Sequence, residues 1–344
     1  MRAVLFERFG ELPQVHEVPD PVCPPDGAVV RVAATGLCRS DWHAWTGHDP
    51  DVVLPHVPGH EFAGEIIEVG AEVRSRHIGE RVTAPFVCAC GNCASCRRGQ
   101  HQVCDHQQQP GFTHWGSFAE YVVIDVADVN AVPLPDGLGL DVAASLGCRF
   151  ATAYRAVVAR GRVRSGDWFA VHGCGGLGLS AVMIAIAGGA RVVAIDPAPA
   201  ARERATALGA AAVLDPGSLD VPAAVREITG GGAAVSLDAI GGVGSLVNSI
   251  GSLRTGGRHV QAGLMGAATD VPADVIALTV ARELELLGSH GMAAHDYPAM
   301  LARIESGELE PGRLIRRRIG LTDAAAELAA LGTAEVDGIT LIEP

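Results

Sequence analysis

This chain of 344 residues has few aromatic side chains and no long apolar runs, and its basic side chains are fewer than its acidic ones. Lys and Arg (26) are outnumbered by Asp and Glu (39), which gives a formal charge of −13. Such a surface repels phosphate backbones and anionic lipid. No uncharged apolar run reaches the roughly 18 residues of a membrane span, and residues 1–10 lack the apolar stretch of a signal peptide. We therefore expect a cytoplasmic protein that binds neither nucleic acid nor membrane.

The residues that are abundant favour an α/β protein. Hydrophobic residues make up 48% of the chain, glycine is frequent (43 residues), and aromatic residues amount to only 4%. That mixture is typical of a fold with many tight turns and not of a disordered chain. At about 100–200 residues per domain, the length suggests two domains. The nine cysteines are an odd number, which favours metal ligands or free thiols over disulfides.

The pattern of short apolar runs changes along the chain. The first part is punctuated by Pro and Gly and has strand-like runs at residues 27–33 and 62–69, which predicts a mainly β domain with long loops. From about residue 150, strand-like and helix-like stretches alternate, as in right-handed βαβ units with a parallel sheet. The predicted elements there are 168–172, 177–187, 191–195, 200–208, 212–214, 222–228 and 234–238. A final strand is predicted at residues 338–342.

One loop carries four cysteines, Cys90, Cys93, Cys96 and Cys104. Two-residue gaps let consecutive thiolates face one metal ion, and the longer gap lets the chain return with a fourth ligand. Four thiolates at tetrahedral corners predict a closed, structural zinc site. The alternatives are four free thiols or a DNA-binding zinc ribbon, and the acidic charge disfavours the ribbon. Cys88 lies two residues earlier and is interpreted as a bystander.

A second set of possible ligands lies far apart in the sequence. Cys38, His60 and Cys148 together would form an open three-ligand site, with the fourth position free for water or substrate. Spacing alone gives weak support, because a lone Cys or His is more often buried in a core.

Four strings resemble those of zinc-containing medium-chain alcohol dehydrogenases: GLCRSDWH, PGHEFAG, SLGCRFATAY and GCGGLG, in that order and with the four-cysteine loop between the second and third. The resemblance covers nearly the whole chain. It implies a GroES-like, mainly β catalytic domain (residues 1–149 and 288–344) and a Rossmann-type NAD-binding domain with a parallel sheet (residues 150–287). It also implies that Cys38, His60 and Cys148 bind a catalytic zinc ion.

The resemblance extends to the residues around that zinc. Glu61 is expected beside the ion as a transient ligand, and Asp41 is expected to orient His60. Zinc is a Lewis acid that lowers the pKa of an alcohol, whose proton then needs a way out. Ser40 and His43 supply a hydroxyl and a group that titrates near neutrality, so we expect them to form the proton route. The alternative for His43 is an ordinary surface histidine.

A glycine-rich loop follows the strand predicted at 168–172. Gly173, Gly175 and Gly178 form G-x-G-x-x-G, which permits a tight turn and close approach of a pyrophosphate to a helix N-terminus; Gly176 and Leu177 complete the loop. Asp196 ends the next predicted strand, where its carboxylate can bind the adenosine ribose and repel a 2′-phosphate. NAD(H) is therefore the expected cofactor. The alternative for Asp196 is a helix N-cap.

Other roles follow only from the resemblance. Arg39 is expected to contact the pyrophosphate and Thr152 to pack against the nicotinamide. Phe86 is expected to form a wall of the substrate pocket, with Trp115 and Trp45 as further candidates. Ile339 lies near the place where relatives often have a pyrophosphate-binding arginine, which is a departure from the pattern.

These interpretations converge on a zinc- and NAD-dependent oxidoreductase acting on an alcohol, aldehyde or ketone. We expect two zinc ions per chain and a homotetramer or homodimer. An aromatic and aliphatic pocket favours an apolar alcohol over a sugar. The alternatives are a polyol or amino-alcohol dehydrogenase, which Cys148 disfavours because such relatives tend to have a carboxylate there, and a non-catalytic zinc-binding structural protein.

Overall fold

The computed structural model describes residues 1–266, 270–332 and 338–344. The chain divides into two compact units. The first contains residues Met1–Ala151, Gly291–Gly307 and Pro311–Pro344, and the second contains Thr152–His290 and Glu308–Glu310. Among the described residues, every helix is too short or too polar to cross a membrane.

Strands are numbered in chain order. They are β1 (Arg2–Leu5), β2 (Gln14–Glu17), β3 (Ala28–Leu37), β4 (Phe62–Val69), β5 (Arg81–Thr83), β6 (Tyr121–Ile124), β7 (Val132–Pro133), β8 (Trp168–His172), β9 (Arg191–Ile195), β10 (Ala212–Leu214), β11 (Ala233–Asp238), β12 (Leu253–Gln261), β13 (Glu285–Gly288), β14 (Ile315–Gly320) and β15 (Ile339–Glu343).

The α-helices are α1 (Arg39–Trp45), α2 (Ala94–Arg97), α3 (Ala127–Asn130), α4 (Leu140–Ala144), α5 (Ala151–Arg155), α6 (Gly176–Ala187), α7 (Pro199–Ala207), α8 (Val221–Thr229), α9 (Val243–Gly251), α10 (Ala273–Ala281), α11 (Tyr297–Glu305) and α12 (Leu321–Ala330). Shorter 3₁₀ or π-helical segments are His101–Val103, Leu146–Phe150, Ala156–Arg160, Ala294–Asp296 and Pro311–Leu314.

The first unit is built on a mixed sheet with the order β14-β15-β3-β4-β5-β7, and β6 also pairs with β3. Alternate residues of β3 and β4 point to opposite faces, and a cluster including Val30, Phe62 and Ile66 fills one side. β3 pairs antiparallel with β4, and this pairing places the end of β3 (Leu37) near the residues that precede β4. The sequence predicted β4 correctly, whereas β3 extends to Leu37 instead of stopping at residue 33.

The second unit contains a parallel sheet with the order β10-β9-β8-β11-β12-β13. In chain order this is 3-2-1-4-5-6, the arrangement of doubly wound dinucleotide-binding folds. β8, β9 and β10 have the bounds predicted from the sequence, and α6, α7 and α8 agree with the predicted helices to within one residue at each end. The α/β fold class is therefore confirmed. Ligands of such sheets bind at the carboxyl ends of the strands, where the strand order reverses between β8 and β11.

Candidate active site and metal centres

The four cysteines predicted to bind structural zinc lie together. The Sγ atoms of Cys90, Cys93, Cys96 and Cys104 all lie within 4.8 Å of one another. Cys93 and Cys104 are 3.8 Å apart, and Cys90 and Cys96 are 4.0 Å apart. Zn–S bonds of about 2.3 Å at tetrahedral angles require sulfur atoms about 3.8 Å apart. The thiol positions therefore fit one tetrahedral zinc ion.

The short helix α2 shapes this loop. Cys93 caps the helix, and its Sγ accepts the backbone N–H of Cys96. That bond is the main reason why the pKa of Cys93 falls to about 6, which favours the thiolate that a metal needs. Cys88, in contrast, donates its thiol to the carbonyl of Pro85, and burial raises its pKa far above the usual value. Cys88 lies outside the group of four.

The second predicted set also comes together. Ligand atoms of Cys38, His60, Glu61 and Cys148 lie within 4.8 Å of one another, although 110 positions separate the first from the last. Cys38 caps the N-terminus of α1 directly after β3, and His60 and Glu61 immediately precede β4. Cys148 lies in the π-helical segment Leu146–Phe150. The pairing of β3 with β4 and the π-helical segment Leu146–Phe150 thus bring together ligands that are far apart in the sequence.

Asp41 fixes the orientation of the His60 ring. Its Oδ1 atom lies 2.9 Å from His60 Nδ1 and accepts the Gly59 N–H, and its Oδ2 accepts the Cys38 N–H. Both side chains are fully buried. His60 Nε2 is buried and has no hydrogen-bond partner among the described residues. An unpaired buried nitrogen is costly, and a zinc ion bound by the two adjacent thiols would satisfy it, so these residues fit the metal.

Glu61 has a partner that the sequence reading did not identify. Both carboxylate oxygens accept bonds from the guanidinium of Arg149, and Oε1 also accepts the Arg149 backbone N–H at 2.9 Å. Burial raises the pKa of Glu61, and the neighbouring guanidinium opposes that rise. A Cβ at Gly36 would collide with Glu61 Oε2 and lie 2.9 Å from Arg149 Nη2, so a larger residue there would displace this ion pair.

Two phenylalanines line the His60 side of the site. The Phe86 ring, predicted as a pocket wall, lies 6.2 Å from the His60 ring, and the Phe112 ring lies 5.1 Å from it. Phe112 was missed, because nothing in its loop marks it as a pocket residue. Trp45 packs in a hydrophobic core and donates its indole N–H to the Glu11 carbonyl. Trp115 packs against the same core and donates its indole N–H to the Pro55 carbonyl. Both tryptophans thus make core contacts.

The predicted proton-route residues lie on α1. Ser40 Oγ is 3.9 Å from Cys38 Sγ, which places the hydroxyl beside the candidate metal group. His43 is three residues further along, on the same side of the helix as Ser40. Arg39 is exposed, and its guanidinium lies 5.8 Å from the centre of the Trp42 ring.

In the second unit, glycine is favoured at each of three positions of the loop after β8, for a different structural reason at each. Gly173 has φ +92°, a left-handed conformation that favours glycine. Gly175 caps α6, and a Cβ there would meet open space, which leaves room for a ligand. A Cβ at Gly178 would collide with the Gly173 carbonyl oxygen, so glycine lets the helix pack directly on the loop. Gly176 and Leu177 are the first residues of α6.

Asp196 lies at the end of β9, beside this loop. Its Oδ2 accepts the Cys174 N–H at 2.7 Å, and its Oδ1 accepts the Ala198 N–H at 2.8 Å. The alternative role as N-cap of α7 is wrong, since Ala198 occupies that position. The Cys174 side chain is buried, and burial raises its pKa to about 12. Thr152, in α5, is buried in the second unit.

Comparisons with known proteins agree with this geometry. Residues 24–136 match the alcohol dehydrogenase GroES-like domain, and residues 176–306 match the zinc-binding dehydrogenase domain. An alcohol dehydrogenase of Geobacillus stearothermophilus is 36% identical over 84% of each chain. A D-arabitol-phosphate dehydrogenase of Enterococcus avium is 31% identical over 87% of this chain and 84% of its own.

A solved alcohol dehydrogenase from Thermus sp. ATN1 superimposes with a TM-score of 0.91 at 33% identity, covering 100% of this chain and 99% of its own. Both family domains, the two clustered ligand sets and the glycine loop thus occur in one chain. The chain belongs to the zinc-dependent medium-chain alcohol dehydrogenase family.

Proposed function

We propose that this alcohol dehydrogenase binds its catalytic zinc through Cys38, His60 and Cys148 and oxidises apolar alcohols with NAD in preference to NADP. Residues 1–149 and 288–344 act as the catalytic domain, and residues 150–287 bind the cofactor. The observation that carries the proposal is the unpaired, buried Nε2 of His60 in a group with two cysteine thiols. The cytoplasmic location stays a prediction.

Zinc supplies Lewis-acid chemistry when bound, by favouring the deprotonated form of an alcohol oxygen. The chain must then hold the ion, shield the site and carry the proton away. Asp41 keeps His60 Nε2 directed at the metal position. Ser40 takes the proton, since its hydroxyl lies beside Cys38, and His43 accepts it one turn further along α1.

Glu61 is already paired with Arg149 and is therefore not expected to be a permanent ligand of the metal ion. Arg149 binds both of its carboxylate oxygens, and this ion pair is buried. A carboxylate with a bidentate arginine partner has less freedom to bind a metal. Cys38, His60 and Cys148 would therefore hold the ion, and Glu61 would be free to bind it only without its Arg149 partner.

The substrate side of the site favours apolar alcohols. Phe86 and Phe112 pack beside His60, and such rings offer apolar contact area. Polyol substrates would need additional polar groups at this wall. The third ligand, Cys148, is a thiol and not a carboxylate, which also disfavours a polyol dehydrogenase.

Asp196 supports the choice of NAD. Two backbone N–H groups fix its carboxylate at the end of β9, where the adenosine ribose binds in folds of this type. The fixed negative charge would repel a 2′-phosphate. Arg39 and Thr152 are assigned to the pyrophosphate and the nicotinamide respectively, by resemblance to the family.

A second, structural zinc ion belongs to the four-cysteine loop, giving two ions per chain. The chain forms a homodimer or homotetramer through its cofactor-binding unit. β13 is at one end of the described parallel sheet, with Leu286 41% exposed, and α10 exposes Ile276 (58%) and Val280 (74%). Exposed apolar side chains at a sheet edge and on a helix surface are typical of a protein–protein interface. Light scattering that finds an active monomer would reject this assembly.

The test is a panel of primary, secondary and benzylic alcohols and the matching aldehydes, followed at the NADH absorbance band with zinc-loaded enzyme. We expect turnover in the wild type, loss of turnover in Cys148→Ser, and wild-type turnover in Cys23→Ser, a matched cysteine outside both groups. Equal activity of Cys148→Ser and wild type would contradict the proposal.

A further inference from the structure

A second histidine lies in direct contact with His43, and the relay proposed above does not use it. His43 Nδ1 and His48 Nδ1 are 3.1 Å apart, with ring centres 5.4 Å apart. A nitrogen–nitrogen contact of this length is a hydrogen bond, so one ring donates a proton and the other accepts it. His43 is half-buried, whereas His48 is exposed to solvent.

The turn after α1 is built so that the two rings meet. Gly47 has φ +78°, a left-handed conformation that favours glycine, and a Cβ there would lie 3.0 Å from the Phe9 ring. The turn reverses the chain, and the His48 N–H donates to the His43 carbonyl at 2.9 Å. The pairing is therefore held by the backbone as well as by the two side chains.

The Trp42 ring packs against both histidine rings. Its ring centre lies 5.1 Å from that of His43 and 5.5 Å from that of His48, each in an edge-to-face arrangement. Thr46 Oγ1 lies 3.2 Å from His48 Nδ1 and donates its hydroxyl to the Trp42 carbonyl at 2.8 Å. Two aromatic contacts and a hydroxyl thus limit the rotation of the His48 ring.

We infer that His43 and His48 form a two-histidine proton relay, in which a proton that reaches His43 leaves the protein through His48. This inference rests on the proposed alcohol oxidation. As a proton binds His43 Nε2, the N–H bond at His43 Nδ1 breaks and an N–H bond at His48 Nδ1 forms. His48 then gives the proton on its Nε2 to water, which leaves both rings neutral, and exchange of ring protons with water restores the starting tautomers. His48 acts through His43 and is therefore a positioning residue.

The charges around the pair suit this task. Burial lowers the pKa of His43, and His48 and Arg39 lower it further, while Cys38 and Asp49 oppose them. Two imidazolium ions 3.1 Å apart would repel each other strongly, so the pair holds one extra proton and passes it on. A lone histidine at position 43 would keep a proton to higher pH.

The test compares zinc-loaded wild type with His48→Gln and with His16→Gln, a control that removes an exposed histidine from β2. We expect kcat/KM of His48→Gln to fall about 3–10-fold, well short of the roughly 10²–10⁴-fold of a complete acid–base group, because water partly replaces the ring. The acid limb of its pH profile should move to higher pH, since the pKa of His43 rises without His48. Added imidazole should restore the rate in His48→Gln only.

Two further outcomes separate the relay from the enzyme's function. The relay alone would be overturned if the wild type is active, the pH profile of His48→Gln coincides with that of the wild type, and imidazole does not change the rate of His48→Gln. A wild type that oxidises no alcohol would overturn both the relay and the proposed function. NMR titration of the imidazole signals should show a higher pKa of His43 in His48→Gln, and an unchanged value would contradict the coupling.

Discussion

Removing the carboxylate of Asp196 should relax the preference for NAD. In the structure its two oxygens accept N–H bonds at 2.7 and 2.8 Å, so the charge has a fixed position. A 2′-phosphate about 4 Å away would be repelled by about 4 kcal/mol at an effective dielectric constant of 20. Solvent and salt reduce this to about 1–3 kcal/mol, or roughly 5- to 150-fold in kcat/KM.

Arg202 is the residue that could weaken this preference by binding a 2′-phosphate. Its Nη1 donates to the carbonyls of Asp196 and Pro197 at 2.7 Å each and lies 3.5 Å from Asp215 Oδ2. Reaching a phosphate would require the loss of these bonds. Glu203→Gln is therefore a matched control, since it removes an exposed carboxylate of α7 and leaves Asp196 and the bonds of Arg202 in place.

The assay is kcat/KM for NAD and for NADP with one alcohol, in wild type, Asp196→Ser, Asp196→Asn and Glu203→Gln. We expect the NAD preference to fall in both Asp196 variants and to persist in Glu203→Gln. Thermal unfolding should accompany the kinetics, because Asp196→Ser leaves two N–H groups without their acceptor. A wild type that prefers NADP, or an unchanged ratio in Asp196→Ser, would refute the reasoning.

Three other experiments, with five substitutions in all, separate the parts of the site. Cys93→Ser should lower the unfolding temperature measured by circular dichroism, whereas Cys148→Ser should keep the fold and lose activity; the reverse pattern would exchange the two metal roles. Arg149→Met should lower the free energy of unfolding by about 3–5 kcal/mol, because it leaves Glu61 buried without its partner. Adding Glu61→Gln should restore part of that loss in denaturant titrations, and no restoration would contradict the pairing. Ser40→Ala should reduce alcohol oxidation by about 10²-fold or more with unchanged NADH binding by fluorescence, and normal turnover would exclude the hydroxyl.

The four-cysteine site could be predicted from the sequence because spacing within a loop limits geometry directly, whereas Cys38, His60 and Cys148 were expected only from the family resemblance. Cys90, Cys93 and Cys96 lie three residues apart, so their thiols can face one ion without help from the rest of the fold. The sequence also predicted the bounds of the strands Trp168–His172 and Arg191–Ile195, because buried parallel strands are continuous apolar runs.

Contacts that depend on tertiary structure could not be predicted in the same way. Arg149 and Glu61 are 88 positions apart, and only the folded first unit shows that they bind each other. Phe112 lies beside His60, although the sequence indicated only Trp115 of this loop as a pocket candidate, because no spacing rule marks one aromatic residue of an irregular loop as a pocket wall. His48 meets His43 because Gly47 adopts a left-handed turn, which a single glycine in the sequence does not reveal.

Direct detection of hydride transfer is the most decisive measurement. Zinc-loaded enzyme would be incubated with NAD and a panel of alcohols deuterated at the carbinol carbon, and the reduced cofactor would be analysed by NMR. The account predicts deuterium at the nicotinamide ring with wild type and none with Cys148→Ser. Fully folded, zinc-loaded wild type that transfers no deuterium from any alcohol of the panel would contradict it.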